Sequence, residues 1–325
     1  MVGTGSIGRR HIANLLKLGV NVFAYSYRNL NNADLPFGNK ITLVNDWLNK
    51  LRDVDAVIIA NSTELHLQVA LAAAKLKKAI FIEKPLSNSL NKIKKIESLL
   101  RKNKIVLESG FNLRTHPNLI WIKKNIDKGT CGEIMYFKAS VGQRLSDWRP
   151  KSDYRKSYSA FREKGGGVIL DLIHELDLIS WLGGKVVEVV SMTRHIPLLE
   201  IQTEAIAQIL LRLDSGILAQ IHLDYIRPMY SRTLEVVGNK QVLSWNYLQG
   251  KVTSEKTKYR ENIAHRVSKS FNRNWMFLTH MKYFLHRIIT PDTPALSSFS
   301  DGVSALRIAM ACHKSFKEKR IIKLP

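Results

Sequence analysis

The chain has only two cysteines among 325 residues, Cys131 and Cys312. That excludes a disulfide framework and a cysteine zinc site, and it fits a reducing cytoplasm. Long apolar runs are missing: none reaches the roughly 18 residues of a membrane-spanning helix. No charged-then-apolar leader opens the chain, so no secretory signal is expected. Acidic residues are scarce. Twenty-seven Asp and Glu stand against 50 Lys and Arg, a formal net charge of +23. Such a field draws anions: phosphates, nucleotides, nucleic acid or an acidic membrane surface. The lysines are scattered, however. Lys92, Lys94, Lys95, Lys102 and Lys104 alternate with Ile93, Ile96, Leu99 and Leu100, which reads as the solvated face of an amphipathic helix. Zinc-finger spacing, a basic zipper and an aromatic RNA-binding signature are all absent, so no nucleic-acid partner is expected. There is no internal repeat and no low-complexity tract.

What remains is ordinary globular material. Its length and 45% hydrophobic content suffice for two domains with their own cores. The stretch from Gly165 to Gly184, GGGVILDLIHELDLISWLGG, is the most informative. It reads as one helix that is apolar almost all round, hence buried. Asp171, His174, Glu175 and Asp177 nevertheless sit inside it. Buried ionisable groups cost free energy unless paired, so they mark a site or a satisfied core. Asp171 and His174, three positions apart, share a helical face.

The first third alternates strand and helix. Gly3-Thr4-Gly5-Ser6-Ile7-Gly8 fits a phosphate-binding loop, G-x-G-x-x-G, opening a helix. A helical pattern follows (His11, Ile12, Leu15, Leu16), then a strand, Val20 to Tyr25. Further strands are Ala56 to Ala60 and Ala79 to Ile82, with a helix from Leu65 to Leu76 between them. This alternation predicts a doubly wound parallel sheet of α/β type. Ligands bind such sheets at the carboxyl ends of the strands, where Asn61, Thr63 and Lys84 fall. Only Met1 and Val2 precede the loop, so the first strand is expected to be largely missing, through a late recorded start or a truncation. The second strand ends Ser26-Tyr27-Arg28, without the acidic residue that usually holds an NAD ribose. Arg28 either meets a 2′-phosphate, a slight lean to NADP, or points to solvent. Pro85 restricts Lys84 to an extended backbone and can host a cis bond. Lys84 is then either a donor to a substrate oxygen or a surface lysine.

These motifs together resemble the Gfo/Idh/MocA family of NAD(P)-dependent oxidoreductases. The resemblance rests on the loop at Gly3 to Gly8, Asn61-Ser62-Thr63 with His66, Glu83-Lys84-Pro85, and Gly165-Gly166-Gly167 followed by Asp171 and His174. It covers nearly the whole chain. The segment from Asp147-Trp148-Arg149-Pro150 to Ala160 resembles a branch common in bacterial surface-polysaccharide gene clusters, as does the three-residue step from Asp171 to His174. The resemblance implies a Rossmann domain at 1–110 and an α+β domain at 111–325 with a large open, mainly antiparallel sheet. That second domain would cover the substrate and build a homo-oligomer, a dimer or tetramer. Helix 300–316 would pack back near the first domain.

Lys84 and His174 occupy the places of the family's catalytic pair, and Asp171 matches the aspartate before the histidine. Gly3, Gly5, Ser6, Ile7, Gly8, Ser26, Arg28, Asn61, Thr63, His66, Glu83 and Lys84 would bind NAD(P).

The second domain is also legible directly. Strand-like runs occupy Ile134 to Val141, Val186 to Met192, Ala205 to Leu213, Ile217 to Tyr225 and Leu234 to Val237, and Asp214-Ser215-Gly216 makes a hairpin turn. The polar, basic stretch from Lys251 to Arg273 reads as a loop. Arg114 either meets a polar substrate or makes a structural ion pair. Tyr154, Arg155 and Tyr158 suit sugar stacking and phosphate pairing. The expected activity is hydride transfer between nicotinamide and a sugar or nucleotide-activated sugar. His174 is the base, with a pKa near about 6.5 when unperturbed. Asp171 orients it, and Lys84 polarises the oxygen. A non-catalytic, cofactor-impaired relative is the alternative. No metal is expected: Asp171, His174 and Asp177 would spread over about 120° of helix, poor for one ion.

Overall fold

A computed structural model describes residues 1–28, 30, 34–148, 150, 153–256 and 262–325. Arg149 and residues 257–261, which the sequence reading touches, lie outside the described residues. Two compact units emerge: Met1–Asn112 with Asn272–Val303, and Leu113–Phe271 with Ser304–Pro325. Residues 272–303 thus fall with the first unit, although a cut by chain order at position 110 puts them in the second.

The first unit opens with α1 (Ser6–Lys17), β1 (Phe23–Ala24), β2 (Thr42–Leu43), α2 (Trp47–Lys50) and β3 (Ala56–Ile59). It continues with α3 (His66–Lys75), β4 (Ala79–Ile82), α4 (Ile93–Lys102) and β5 (Leu107–Ser109). β3, β4 and β5 pair in parallel, as do β1 and β2. The expected gap between these two sheets is closed by Met1 to Gly3. Val2 bridges Tyr25 on one side and Ile59 on the other, both in parallel. Five backbone bonds complete the ladder: Met1 N to Phe23 O, Tyr25 N to Met1 O, Gly3 N to Tyr25 O, Val2 N to Ile58 O and Ala60 N to Val2 O. Three residues therefore do the work of a central strand. β3 and β4 are apolar and buried from their second residue on, as parallel strands covered on both faces must be. On α4, Ile93, Ile96 and Leu100 are buried and the lysines face out.

The helix Arg273–Ile289 closes the core of this unit with Met281 and Phe284. It is also tied polar-wise to β5. The fully buried Glu108 carboxylate accepts from His280 Nε2 (3.1 Å), Arg287 Nη1 (2.8 Å), Leu296 N (3.2 Å) and Ser297 N (3.0 Å). Four donors satisfy a charge that would otherwise be costly to bury.

The second unit begins with α5 (Pro117–Asp127), β6 (Ile134–Gly142), α6 (Val168–Asp171), α7 (His174–Gly183), β7 (Val186–Arg194), β8 (Ile206–Leu213) and β9 (Leu218–Asp224). Then come β10 (Ser231–Gly238), β11 (Gln241–Asn246), β12 (Lys251–Lys256), β13 (Asn262–Arg266) and, after the helix already described (α8) and α9 (Phe299–Glu318), β14 (Ile322–Lys323). They form a nine-stranded sheet in the order β13-β12-β11-β10-β6-β9-β8-β7-β14. Its pairs are antiparallel except β6 with β9. Burial alternates along the strands: Phe137, Ala139 and Val141 face the core while Tyr136 and Lys138 are exposed. The expected hairpin is present, with Leu213 N bonded to Ile217 O and Gly216 at φ +89°.

Two expectations change here. In the stretch from Lys251 to Arg273, where a loop is expected, β12 and β13 extend the sheet edge. The distal helix is not continuous. It stops at Asp171, turns through Leu172 and Ile173, and restarts at His174. Neither proline nor glycine marks the break.

Candidate active site

The first unit gathers its functional residues around two strand ends. Gly3 adopts φ +104°, and a Cβ there would lie 2.5 Å from the Ala60 carbonyl. A Cβ on Gly8 would lie 2.1 Å from Gly3 O. These two glycines let the loop fold back on β3. Gly5 instead faces open space and stands at the N-cap of α1, where no side chain caps the helix and the first turn has no acid. Exposed Ser6 and half-buried Ile7 follow. An uncapped helix N-terminus beside open space is a cradle for a pyrophosphate, so these residues fit a dinucleotide.

The other expected cofactor residues behave differently from one another. Asn61 donates to Tyr27 Oη at 3.3 Å, which joins the chain just after β3 to the chain just after β1. Thr63 is buried. Ser26 Oγ accepts from the Arg28 backbone, and Arg28 is exposed. His66 is placed between the ends of β3 and β4. Its ring is buried between two backbone carbonyls, Nδ1 at 2.9 Å from Pro85 O and Nε2 at 3.1 Å from Asn61 O. Burial lowers its pKa. Both ring nitrogens lie within hydrogen-bond distance of these carbonyls, so the ring links the ends of β3 and β4. The Glu83 carboxylate is buried against His11, 2.6 Å away. Burial pushes this carboxyl up, but the hydrogen bond from His11 and the charges of His11, Lys84 and His66 outweigh it and hold it below its usual range. Lys84 is half-buried at the end of β4, its peptide to Pro85 cis.

In the second unit the four ionisable groups of the distal helix separate into two kinds. Asp177 takes a two-pronged bond from Arg114, Nε to Oδ2 at 3.0 Å and Nη2 to Oδ1 at 2.7 Å. Glu175 pairs with Arg232, Nε to Oε1 at 2.8 Å. Both acids are core ion pairs. Arg114, 5% exposed, has its fork committed to Asp177 and its guanidinium 5.7 Å from the Trp181 ring.

Asp171 and His174 are the other kind. They are 2% and 8% exposed and flank the helix break, Asp171 ending α6 and His174 opening α7. The Tyr225 hydroxyl donates to Asp171 Oδ2 at 2.5 Å. Burial, then the Asp171 charge, raises the Tyr225 pKa well above its usual value, so it stays a donor. Behind them lies Glu204, whose pKa burial raises to about 7. Its Oε1 accepts from Ile169 N at 3.2 Å, in space left by Gly167, where a Cβ would lie 2.4 Å from that oxygen. Half-buried Tyr154 and Tyr158 and exposed Arg155 lie on the turns before Gly165. Arg155 bonds Asp153 (2.9 Å) and Glu200 (2.7 Å) at the surface.

Sequence reasoning misses Tyr225, Glu204 and the role of His11. Tyr225 and Glu204 carry no spacing signal, and His11 reads as one more core-facing position of α1. No group of three or more His, Cys, Asp or Glu among the described residues is placed to hold a metal ion.

Residues 1–111 match a family model described as oxidoreductase family, NAD-binding Rossmann fold. Residues 120–244 match the GFO/IDH/MocA C-terminal domain. The chain is 30% identical to myo-inositol 2-dehydrogenase of Thermotoga maritima, over 84% of this chain and 80% of that one. It is 24% identical to the inositol 2-dehydrogenase/D-chiro-inositol 3-dehydrogenase of Lacticaseibacillus casei, over 99% and 93%. Levoglucosan dehydrogenase in complex with NADH shares the fold, with a TM-score of 0.89 at 19% identity over 100% and 98% of the two chains. The chain is a member of the GFO/IDH/MocA oxidoreductase family, with an NAD-binding Rossmann domain.

Proposed function

We propose that this protein moves a hydride between a nicotinamide cofactor and a carbon bearing a hydroxyl group on a sugar or nucleotide-activated sugar. The nicotinamide, when bound, supplies the hydride chemistry. In the oxidative direction His174 takes the hydroxyl proton, Asp171 orients it, and Lys84 donates to the oxygen as negative charge develops. The carrying observation is that Asp171 and His174 are buried side chains flanking the break between α6 and α7, with Asp171 held by the Tyr225 hydroxyl. The named activities of the relatives, on inositols and levoglucosan, support a polyhydroxylated ring as substrate.

The net charge of +23 favours an anionic version of that ring, such as a nucleotide-activated sugar in surface-polysaccharide synthesis. Tyr154 and Tyr158 suit stacking on it. Arg155, 46% exposed, can leave its screened surface partners for a phosphate. At the adenosine ribose, exposed Arg28 and the lack of an acid at Ser26-Tyr27 favour acceptance of NADP(H) alongside NAD(H). We place the reaction in the cytoplasm and in a homo-oligomer. Among the described residues no helix is long and apolar enough to cross a membrane.

The test is nicotinamide absorbance with NAD and NADP against a panel of inositols, free sugars and nucleotide sugars. Turnover of at least one cyclic polyol or sugar is expected, and Arg28→Ala should weaken NADP more than NAD. Tight cofactor binding with no turnover across the panel would favour the non-catalytic alternative.

A further inference from the structure

Beneath Lys84 lies a buried pair that the proposed reaction leaves unused. His11, in the second turn of α1, places Nε2 2.6 Å from Glu83 Oε1. Both side chains are buried. The remaining surroundings of the His11 ring are aromatic, with edge contacts to Phe81 at 5.2 Å and Phe277 at 6.1 Å. Its Nδ1 has no hydrogen-bond partner among the described residues. The bond to Glu83 is the one hydrogen bond of the ring among the described residues.

The second carboxylate oxygen, Oε2, accepts from the Lys84 backbone N at 3.3 Å. Gly110 packs on the other side, where a Cβ would come within 2.9 Å of Oε2. The carboxylate is thus fixed in place, one residue from the lysine.

We propose that the His11–Glu83 pair is a positioning and charge-setting device for Lys84, anchoring its backbone and keeping its side chain in the ammonium form. It rests on the reading of Lys84 as the residue that polarises the substrate oxygen. A donor to a developing oxyanion must carry its proton, and a nearby carboxylate stabilises that form. Because His11 rides on the helix that starts at the phosphate cradle, the same pair ties the cofactor-binding loop to the lysine. The titratable groups acting on Glu83 are His11 from α1, His66 from α3 and Lys84 itself. His66 is buried and held by backbone carbonyls.

Removing the carboxylate charge should lower the Lys84 pKa. In Glu83→Gln, which keeps the shape and, through its single amide oxygen, one of the two accepted hydrogen bonds, the alkaline limb of kcat/KM should move down by about one pH unit or more, since a nearby opposite charge shifts a pKa by about 1–3. Carbon-13 NMR of lysine-labelled, cofactor-free protein gives an independent readout. The signal lost in Lys84→Arg should titrate at lower pH in Glu83→Gln. His11→Leu should reproduce the shift or lose activity, and His11→Gln, which keeps an N–H donor, should recover most of it. An unmoved Lys84 signal and an unmoved alkaline limb in folded Glu83→Gln would overturn the proposal. Full activity of Lys84→Ala would instead overturn the reading of the lysine on which it rests.

Discussion

Replacing Arg114 by methionine separates a structural arginine from a substrate-binding one. Arg114 and Asp177 are 5% and 1% exposed and share two hydrogen bonds, of 3.0 and 2.7 Å. Loss of the guanidinium leaves a carboxylate in the core of the second unit with its main countercharge gone. Breaking such a buried pair typically costs about 3–5 kcal/mol. For a domain of roughly this size each kcal/mol lowers Tm by about 2–4 °C, so a drop on the order of 10 °C is expected. Thermal and urea unfolding followed by tryptophan fluorescence read it, and Trp181 sits beside the guanidinium. The double variant Arg114→Met/Asp177→Leu should recover most of the loss, because it removes both charges together. The substrate KM of whatever folded Arg114→Met remains should stay within a few-fold of the parent. A variant of unchanged stability with KM raised tenfold or more would refute the ion-pair reasoning and return Arg114 to the substrate.

Three further outcomes follow from the same geometry. Tyr225→Phe deletes the hydroxyl that donates to Asp171, so kcat should fall about tenfold or more and stability by about 1–3 kcal/mol, read by steady-state kinetics and urea unfolding. Unchanged kcat in a folded variant would detach Tyr225 from the site. Gly8→Ala puts a Cβ against Gly3 O and should weaken dinucleotide binding at least tenfold by fluorescence titration, whereas Gly5→Ala, with open space around it, should cost far less. Glu204 has a folded pKa raised to about 7, above its unfolded value near about 4.5. Its contribution is therefore favourable below pH 4.5 and is lost as pH rises through 7. Glu204→Gln should accordingly gain stability relative to the parent at pH 8 compared with pH 5, by up to about 3 kcal/mol. A difference that does not change with pH would contradict the burial of an acid there.

How much of this was legible depended on what each feature needs from distant parts of the chain. β4 could be read to the residue, and β3 nearly so, because a parallel strand covered on both faces is a short apolar run between turn residues. The phosphate loop announced itself through Gly3 and Gly8, whose backbones need close approach. β12 and β13 were hidden because strands near a sheet edge carry polar side chains such as Thr253, Ser254 and Lys256. The break between α6 and α7 had no proline or glycine to mark it, so an apolar pattern read as one continuous helix. The roles of Asp177 and Glu175 depend on Arg114 and Arg232, partners 63 and 57 positions away. Pairs at that separation leave no periodic trace, and the same holds for Tyr225 with Asp171. The site residues set by local backbone were therefore visible, whereas those set by side-chain partners across the fold were not.

The central claim is that Lys84 and His174 carry the chemistry while the glycine loop carries the cofactor. It is tested most directly by measuring kcat and cofactor dissociation constants side by side for the parent, Lys84→Ala and His174→Ala, on a substrate identified in the polyol and sugar panel. The account predicts that each variant loses about 10²–10⁴-fold in kcat while binding the cofactor within a few-fold of the parent. Near-parental kcat in either variant would contradict it.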